Sequence, residues 1–266
     1  HLSTTGASST KIEDGQAGIT KTSDQWTYGF RLSYTLEDLK NADGTYDEAR
    51  TFEYTVTETG TLLGVTNDAN PTRTLSVTVT DPRDGSGTLN VVPTIDDKGL
   101  DFHNVYSTAG ETDFWVEKVL YGRAMAADEF TFELKGRNVG GAKHADGTQT
   151  LTNAATNVGN VWTAKFDHIA YTLDDLTRNA DSTCADTTYT YTLREVVPAD
   201  ANKLPGVTYD STVMTTKVTL HDKGDGTITT TDHTTYSNSE STSSARGHRL
   251  ENRYYAEGSA DVAGTK

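Results

Sequence analysis

The chain of 266 residues carries 38 acidic against 23 basic side chains, a formal net charge of −15. Nucleic acids and anionic membranes bind clustered Lys and Arg, so this balance argues against both as partners. The sequence contains no apolar run of about 18 residues, the length that spans a bilayer, and no basic-then-apolar signal segment opens it. We therefore expect a soluble, acidic chain that is a mature piece or a fragment.

Composition favours an all-β protein of two domains. Only 34% of the residues are apolar, and Thr, Tyr and Val recur between gaps rich in Gly, Asp and Asn, as in strands joined by polar turns. The single cysteine, Cys184, cannot form an internal disulfide and is interpreted as an incidental thiol. An extracellular protein of this composition needs another source of resistance to force and proteolysis.

Alternating apolar positions predict the elements of a first unit in chain order. Residues 1–24 are small and polar, which indicates a loop or a loosely held edge. Residues 26–34 alternate strictly and predict a strand, after which Thr35 and Asp38 predict a capped helical turn. Further strands are predicted over 52–58, 75–79, 87–91 and 102–106, with a hairpin turn of the Asp-Gly type at 81–87.

Short sequence segments of this unit recur in the same order after residue 107, which predicts an internal repeat. The matched segments are 26–30 with 162–166, 34–39 with 171–176, 54–58 with 191–195, 64–66 with 206–208, 77–81 with 218–222 and 85–88 with 224–227. The predicted strands 114–120 and 130–134 have no counterpart in the first unit. We therefore predict a first repeat over 1–106 that lacks its opening strands, a complete repeat over 107–256, and a linker with the start of a following repeat over 257–266.

Three polar residues of the second unit fall on apolar strand faces. Alternation places Lys118, Glu195 and Asn252 among the inward positions of the strands that carry them. If the first and last strands run side by side, Lys118 and Asn252 can meet across the ladder at about 5 Å. A core tolerates such groups only when they are paired.

Burial predicts a reaction for these three groups. Desolvation favours a neutral, nucleophilic Lys118 and a protonated Glu195. Glu195 would hydrogen-bond the side-chain carbonyl of Asn252 and pass a proton to the ammonia that leaves after attack by Lys118 Nζ. The product would be a Lys-Asn amide, formed once per molecule, without enzymatic turnover and without a cofactor. Ordinary buried polar contacts are the alternative interpretation.

Five phrases of the second unit carry a resemblance to a known family. They are 114–123, 129–134, 191–195, 206–210 and 250–254, and they resemble the isopeptide-linkage domain of Gram-positive pilins and surface adhesins, the streptococcal FctA-like type. The resemblance covers 107–256 and, in weaker form, 25–106. It implies tandem Ig-like (CnaB-type) β-sandwiches, a bond between Lys118 and Asn252, and Glu195 as the assisting acid.

The first unit matches only part of this motif. Glu58 and Asn104 correspond to the acid and the amide, but no Lys corresponds to Lys118. Asn104 precedes Lys118 by fourteen residues, and Asn252 precedes Lys266 by the same interval. The missing Lys would come from upstream sequence or from another chain, for which Lys266 is the candidate, although a truncated sequence explains the pattern more simply.

These features predict a structural stalk or shaft segment of a pilin or adhesin, outside the cell at the bacterial cell wall. Its partners would be neighbouring repeats or subunits of the same surface protein. The competing prediction is an adhesin module that binds host glycan or protein through exposed Tyr and Trp side chains. We predict no metal, because the acids at 81–84 and 222–225 lack the Gly and Glu positions of a Ca²⁺ loop and the His residues show no ligand spacing.

Overall fold

The structure is a computed structural model. It describes residues 29–97, 99–154, 161–237 and 247–266, together with the backbone of 2–4, 7–10, 20–21 and 26–27. The chain divides into two compact units, one of residues 1–107 with 179–183 and one of residues 108–178 with 184–266. All regular structure in these described ranges is β-strand or short 3-10 helix, which confirms the all-β prediction.

The first unit contains nine described strands and one 3-10 helix. The strands are β1 Leu2–Thr4, β2 Ala7–Thr10, β3 Thr20–Lys21, β4 Trp26–Thr27, β5 Ala49–Thr57, β6 Val65–Thr66, β7 Thr72–Thr80, β8 Asn90–Ile95 and β9 Val105–Tyr106, and the helix is η1 Leu36–Leu39. The main sheet has the order β2-β1-β5-β7-β8, and β6 pairs with β9 in a second sheet. Among the residues whose side chains are described, the buried core contains Leu39, Tyr54, Val56, Leu75, Val77 and Val79.

The second unit contains thirteen described strands and three 3-10 helices. The strands are β10 Ala109–Thr112, β11 Trp115–Tyr121, β12 Thr131–Arg137, β13 Asp146–Thr152, β14 Val161–Lys165, β15 Ile169–Thr172, β16 Thr177–Arg178, β17 Cys184–Ala185, β18 Thr187–Glu195, β19 Val207–Thr208, β20 Val213–Asp222, β21 Ile228–Tyr236 and β22 Arg249–Tyr254. The helices are η2 Val139–Gly141, η3 Leu173–Asp175 and η4 Asp200–Asn202.

Two sheets enclose the core of the second unit. One has the order β13-β12-β18-β20-β21 and the other has the order β14-β11-β22-β19. Inward side chains of both sheets, such as Val116, Phe132 and Leu250, belong to one buried cluster. Alternation along each strand supplies this inner face while Thr and charged residues face outward. The arrangement is a β-sandwich, as predicted.

The main sheet of the first unit repeats the strand order of the second. Leu2 of β1 lies opposite Val56 in β5, just as Leu134 of β12 lies opposite Leu193 in β18. β1 is therefore the counterpart of β12, and the prediction that both opening strands lack a counterpart is wrong for this one. A strand of three residues is too short to show alternation. β3 pairs with β4 in the register of β11 with β14, since Lys21 lies opposite Trp26 as Lys118 lies opposite Trp162.

Two predicted strands of the first unit differ from the observed ones. Residues 29–35 form no described ladder, although Phe30, Leu32 and Tyr34 are half-buried against the core and the residues between them are exposed. Their alternation reflects burial of side chains rather than backbone pairing. β8 begins at Asn90 instead of residue 87, because the preceding loop extends over 81–89. Position 28 of the predicted strand 26–34 lies outside the described residues.

Each unit has a capped 3-10 turn and a hydroxyl pair. Asp38 accepts a hydrogen bond of 2.7 Å from the Thr35 backbone N–H, which confirms the predicted cap, and Asp175 does the same for Thr172 at 3.0 Å. In each unit, the tyrosine directly before this turn, Tyr34 or Tyr171, forms a hydrogen bond with the hydroxyl of a second tyrosine.

The tyrosine pair of the second unit has a fixed direction of hydrogen bonding. The hydroxyls of Tyr171 and Tyr191 lie 2.7 Å apart, and Tyr191 also contacts the backbone carbonyl of Arg137 at 3.1 Å. A carbonyl only accepts, so Tyr191 donates to Arg137 and Tyr171 donates to Tyr191. Tyr34 and Tyr54 form the corresponding pair at 2.7 Å in the first unit.

This direction predicts unequal effects of two Tyr-to-Phe substitutions. Tyr171→Phe removes one hydrogen bond and should lower the free energy of unfolding by about 0.5–1.5 kcal/mol. Tyr191→Phe leaves the buried Tyr171 hydroxyl without an acceptor and should cost about 1–3 kcal/mol. Urea unfolding followed by tryptophan fluorescence measures both. Equal losses would contradict the order of donation.

Candidate crosslink site

Three strands bring the predicted polar residues of the second unit together. Lys118 lies in the middle of β11, Glu195 ends β18 and Asn252 lies within β22. β11 and β22 are neighbours in one sheet, and β18 is the central strand of the other. The exposed fractions are 0% for Lys118, 2% for Glu195 and 0% for Asn252. The two sheets thus enclose an amine, a carboxyl group and an amide.

One carboxyl group contacts both nitrogens. Glu195 Oε2 lies 2.6 Å from Lys118 Nζ, and Glu195 Oε1 accepts a hydrogen bond of 2.8 Å from Asn252 Nδ2. Both contacts are short and lie in the buried core. Glu195 therefore stands where it can exchange protons with either nitrogen.

The register of the two neighbouring strands differs from the expected one. β11 and β22 run parallel, with Lys118 opposite Leu250 and Leu120 opposite Asn252. Lys118 and Asn252 are therefore not opposed residues, and the prediction of a direct pair across the ladder is wrong in this detail. They share the buried face at positions two residues apart, which the long lysine side chain spans toward Glu195.

Asp210 holds the other end of the Asn252 amide. Its backbone N–H donates a hydrogen bond of 2.8 Å to Asn252 Oδ1. A peptide N–H only donates, so the carbonyl of Asn252 faces Asp210 and its NH₂ group faces Glu195. The predicted hydrogen bond from Glu195 to the Asn252 carbonyl is therefore wrong. In its place, a backbone donor polarises that carbonyl.

The side chain of Asp210 fixes this donor in place. Asp210 Oδ1 accepts from the Thr212 N–H and Oδ2 from the Glu251 N–H, each at 2.9 Å. Sequence reasoning missed Asp210, although a signal was present. The matched phrases 64–66 and 206–208 are each followed, two residues later, by an aspartate, Asp68 or Asp210.

Burial shifts both titratable groups of the site toward their neutral forms. Desolvation lowers the pKa of Lys118 and raises the pKa of Glu195, and in each case it outweighs the attraction between the two groups. The Phe130 ring lies 4.8 Å from Lys118 Nζ and contributes to this apolar surrounding. The site therefore favours a free amine beside a protonated carboxyl group.

The first unit contains the acid and the amide in the same arrangement. Asn104 Nδ2 donates to Glu58 Oε1 at 2.5 Å, and the Asp68 N–H donates to Asn104 Oδ1 at 2.9 Å. Hydrogen bonds from the N–H groups of Asn70 and His103 lower the pKa of Asp68 to about 2 and hold its carboxylate as Asp210 is held. The two units thus share one frame around the amide.

The first unit differs in what surrounds that frame. Asn104 is exposed, and no described lysine side chain contacts Glu58. Glu58 Oε2 is buried and has no hydrogen-bond partner among the described residues. Lys266, the candidate donor, is exposed in the segment 255–266, where no strand is described.

Across 29–97, 99–154, 161–237 and 247–266, no three His, Cys, Asp or Glu side chains are grouped so as to hold a metal ion. The helices in the described ranges are too short or too polar to cross a membrane.

The architecture and the paired sites define a class of proteins built from tandem Ig-like β-sandwiches of the isopeptide type. The sequence profile of the Spy0128-like isopeptide-containing domain, FctA, matches residues 3–107 and 114–255. These matches cover most of the chain, which therefore belongs to this family. Membership indicates an extracellular location at the cell surface.

Several solved structures are similar to part of the chain. Among them is the major pilin protein (T-13) from Streptococcus pyogenes serotype GAS131465, with 16% identity, 56% of this chain covered and a TM-score of 0.31. The match covers 53% of that pilin, about half of its length. No curated protein sequence matches the chain.

Replacing Lys118 with Met should make the free energy of unfolding depend on the titration of the buried Glu195. In Lys118→Met, Glu195 stays buried but loses the cation that favours its charged form, so its pKa should lie still further above the ordinary value. The folded state then keeps a proton that the unfolded state releases. As pH rises from the pKa of Glu195 in the unfolded chain to its higher pKa in the folded chain, the free energy of unfolding should fall by up to about 1.4 kcal/mol per pH unit.

Urea unfolding of Lys118→Met at a series of pH values measures this slope. The matched control is Lys118→Met with Glu195→Gln, in which the group that titrates is absent and the additional slope should vanish. The same pH dependence in both variants would show that Glu195 is not the group responsible.

Proposed function

We propose that this chain is a segment of a pilus shaft whose second unit locks itself with an amide bond between Lys118 and Asn252. The carboxyl group that contacts both the amine and the amide is the observation that carries this proposal. Membership of the isopeptide-domain family supports it. The reaction occurs once per molecule and is not enzymatic turnover.

The geometry suits a proton relay through Glu195. Lys118 Nζ attacks the side-chain carbon Cγ of Asn252, and a new C–N bond forms. Glu195 Oε2, which contacts Nζ, takes a proton from it, and Oε1, which contacts Nδ2, passes a proton to the leaving nitrogen. The Cγ–Nδ2 bond breaks, ammonia leaves, and Glu195 ends as it began.

The Asp210 N–H stabilises the charge that develops in this reaction. As Nζ adds to Cγ, the electron pair of the carbonyl moves to Oδ1, which already accepts the Asp210 hydrogen bond. A backbone donor held in place before the reaction needs no reorganisation and acts strongly in a dry site. Asp210 is therefore a positioning residue, and its backbone supplies the contact to the reacting oxygen.

The bond would change how the unit carries tension. Lys118 lies near the start of the second unit and Asn252 near its end, on adjacent parallel strands. Force that enters before Lys118 would cross the amide to Asn252 and leave residues 119–251 unloaded. Extension would then require breaking a covalent bond instead of a ladder of hydrogen bonds. This property suits a shaft.

The adhesin alternative has less support in the described side chains. Trp115 packs edge-on against His248 at 4.6 Å, and Trp162 stacks on the buried Phe132 at 5.3 Å. Both rings are thus engaged within the unit. Binding of host glycan or protein stays a prediction.

Intact mass tests the bond directly. We expect the native chain to weigh one ammonia less than its sequence, and Glu195→Ala to restore the full mass because the proton relay is lost. The control is Glu117→Ala, which removes a carboxylate from the opposite face of β11. A wild-type chain at full sequence mass would exclude the bond, and restoration by Glu117→Ala would exclude a specific role of Glu195.

The backbone donor predicts a kinetic effect of the Asp210 side chain. Asp210→Ala frees the loop that presents the N–H and should slow ammonia loss by up to about 10²-fold, since small misplacements near reacting atoms have effects of this size. Asp210→Asn keeps one acceptor oxygen and should fall between Ala and wild type. Timed intact-mass measurements after cell-free synthesis give the rates.

The matched control is Asp225→Ala, which removes a turn carboxylate bound to the Thr227 N–H in the same unit. Its rate should equal that of the wild type. A rate for Asp210→Ala as fast as for Asp225→Ala would show that the loop does not position the reacting carbonyl.

A further inference from the structure

Two buried threonine hydroxyls of the second unit have no hydrogen-bond partner among the described residues. They belong to Thr108, just before β10, and to Thr212, just before β20, whose exposed fractions are 4% and 1%. An unpaired hydroxyl in a core lowers stability, because water satisfies the same group in the unfolded chain. The position of Thr212 gives its hydroxyl a chemical explanation.

Thr212 lies beside Glu195 on the inner face of the sheet. β18 and β20 are antiparallel neighbours, and Arg194 lies opposite Val213 at the end of their ladder. The next residue along each strand is Glu195 or Thr212, and residues opposed in this way have Cβ atoms roughly 4.5–5.5 Å apart. Both side chains are buried. The Thr212 hydroxyl therefore lies next to the carboxyl group that contacts the Asn252 amide.

A chain of two backbone hydrogen bonds also joins Thr212 to that amide. The Thr212 N–H donates to Asp210 Oδ1 at 2.9 Å, and the Asp210 N–H donates to Asn252 Oδ1 at 2.8 Å. Thr212 is thus held between the loop that orients the amide carbonyl and the carboxyl group that contacts the amide nitrogen.

The fold itself does not require a hydroxyl at this position. In the first unit, the backbone N–H of Glu58, the counterpart of Glu195, donates to the Pro71 carbonyl at 2.8 Å. Pro71 therefore lies beside Glu58 as Thr212 lies beside Glu195. Proline has no side-chain donor or acceptor, so this part of the sandwich forms without one.

The crosslinking reaction creates a new hydrogen-bond donor at this end of the core. Asn252 Nδ2 carries two N–H groups, and it makes one hydrogen bond among the described residues, to Glu195 Oε1. When Glu195 passes a proton to this nitrogen, it carries three N–H groups and a positive charge. An acceptor that is used only at this stage stabilises the transition state and not the ground state.

We propose that the Thr212 hydroxyl is the binding site of the ammonia that leaves Asn252. The inference rests on the function proposed above. As Lys118 Nζ bonds to Cγ, Glu195 transfers a proton to Nδ2, and Thr212 Oγ1 accepts a hydrogen bond from the protonated nitrogen. The Cγ–Nδ2 bond then breaks, and its electron pair stays on the nitrogen, which becomes neutral ammonia. The adjoining Ser211 is exposed, so ammonia bound at Thr212 is close to solvent.

Timed intact-mass measurements on the full chain after cell-free synthesis test this site. Thr212→Val keeps the shape of the side chain but removes the hydroxyl, and it should slow ammonia loss by up to about tenfold, the effect of one hydrogen bond. Thr212→Ser keeps the hydroxyl and should react at close to the wild-type rate. The matched control is Thr108→Val, which removes the other unpaired buried hydroxyl and should leave the rate unchanged.

Folding stability separates a role in the reaction from a structural one. Urea unfolding is measured in the Lys118→Met background, in which no crosslink forms. There Thr212→Val should not lower the free energy of unfolding, because the lost hydroxyl has no partner in the folded unit. Thr216→Val should lower it, because the Thr216 hydroxyl lies 2.8 Å from that of Thr234. With Lys118 present, Thr216→Val should leave the rate of ammonia loss unchanged.

The outcomes distinguish this site from the bond itself. Equal rates for Thr212→Val and Thr212→Ser would overturn the site alone and leave the Lys118–Asn252 bond in place. If the valine variant does not fold, Thr212→Ala against Thr212→Ser makes the same comparison. A slow Thr212→Val that is equally destabilised in the Lys118→Met background would indicate a structural role and overturn the site. A wild-type chain at full sequence mass would reject the bond and the site together.

Discussion

The carboxyl group of Glu195, shared between an amine and an amide in a dry core, is the contact on which the second unit depends. Burying an ionised pair costs desolvation energy that mutual attraction repays only with good geometry. Here burial lowers the pKa of Lys118 and raises the pKa of Glu195, which favours a free amine beside a carboxylic acid over two charges. The same burial favours the neutral forms that the proposed crosslinking reaction needs.

A comparison of the two units shows which hydrogen bonds around the amide depend only on the nearby loop. The backbone donor and its supporting carboxylate recur at Asp68 and Asp210 although one amide is exposed and the other buried. The frame around the amide is therefore set by the loop that follows β6 or β19 and does not need the lysine strand. In the second unit, β11 lies beside β22, where Asn252 is fully buried, and carries the amine of the proposed reaction.

The fold and the central site followed from sequence where side chains alternate and phrases repeat. Lys118, Glu195 and Asn252 stand out because polar residues on an apolar face break a regular pattern. The hydrogen bond donated by the Asp210 N–H could not be predicted from such a pattern, since every residue except proline carries a backbone N–H. The parallel register that places Lys118 opposite Leu250 was equally hidden, because alternation fixes the face of a residue and not its partner. The three residues of β1 were too few to show a period.

The order of the three residues along the second unit has a consequence for export. Lys118 lies on an early strand, Glu195 in the middle, and Asn252 on the last strand. Of the three groups in the proposed reaction, the amide is thus synthesised last and would be exported last. A chain that crosses a membrane as an extended polypeptide would keep its reactive groups apart until the whole unit has passed through. The amide bond could not form while the unit is still crossing the membrane. The covalent stability of the folded unit would therefore not hinder its export.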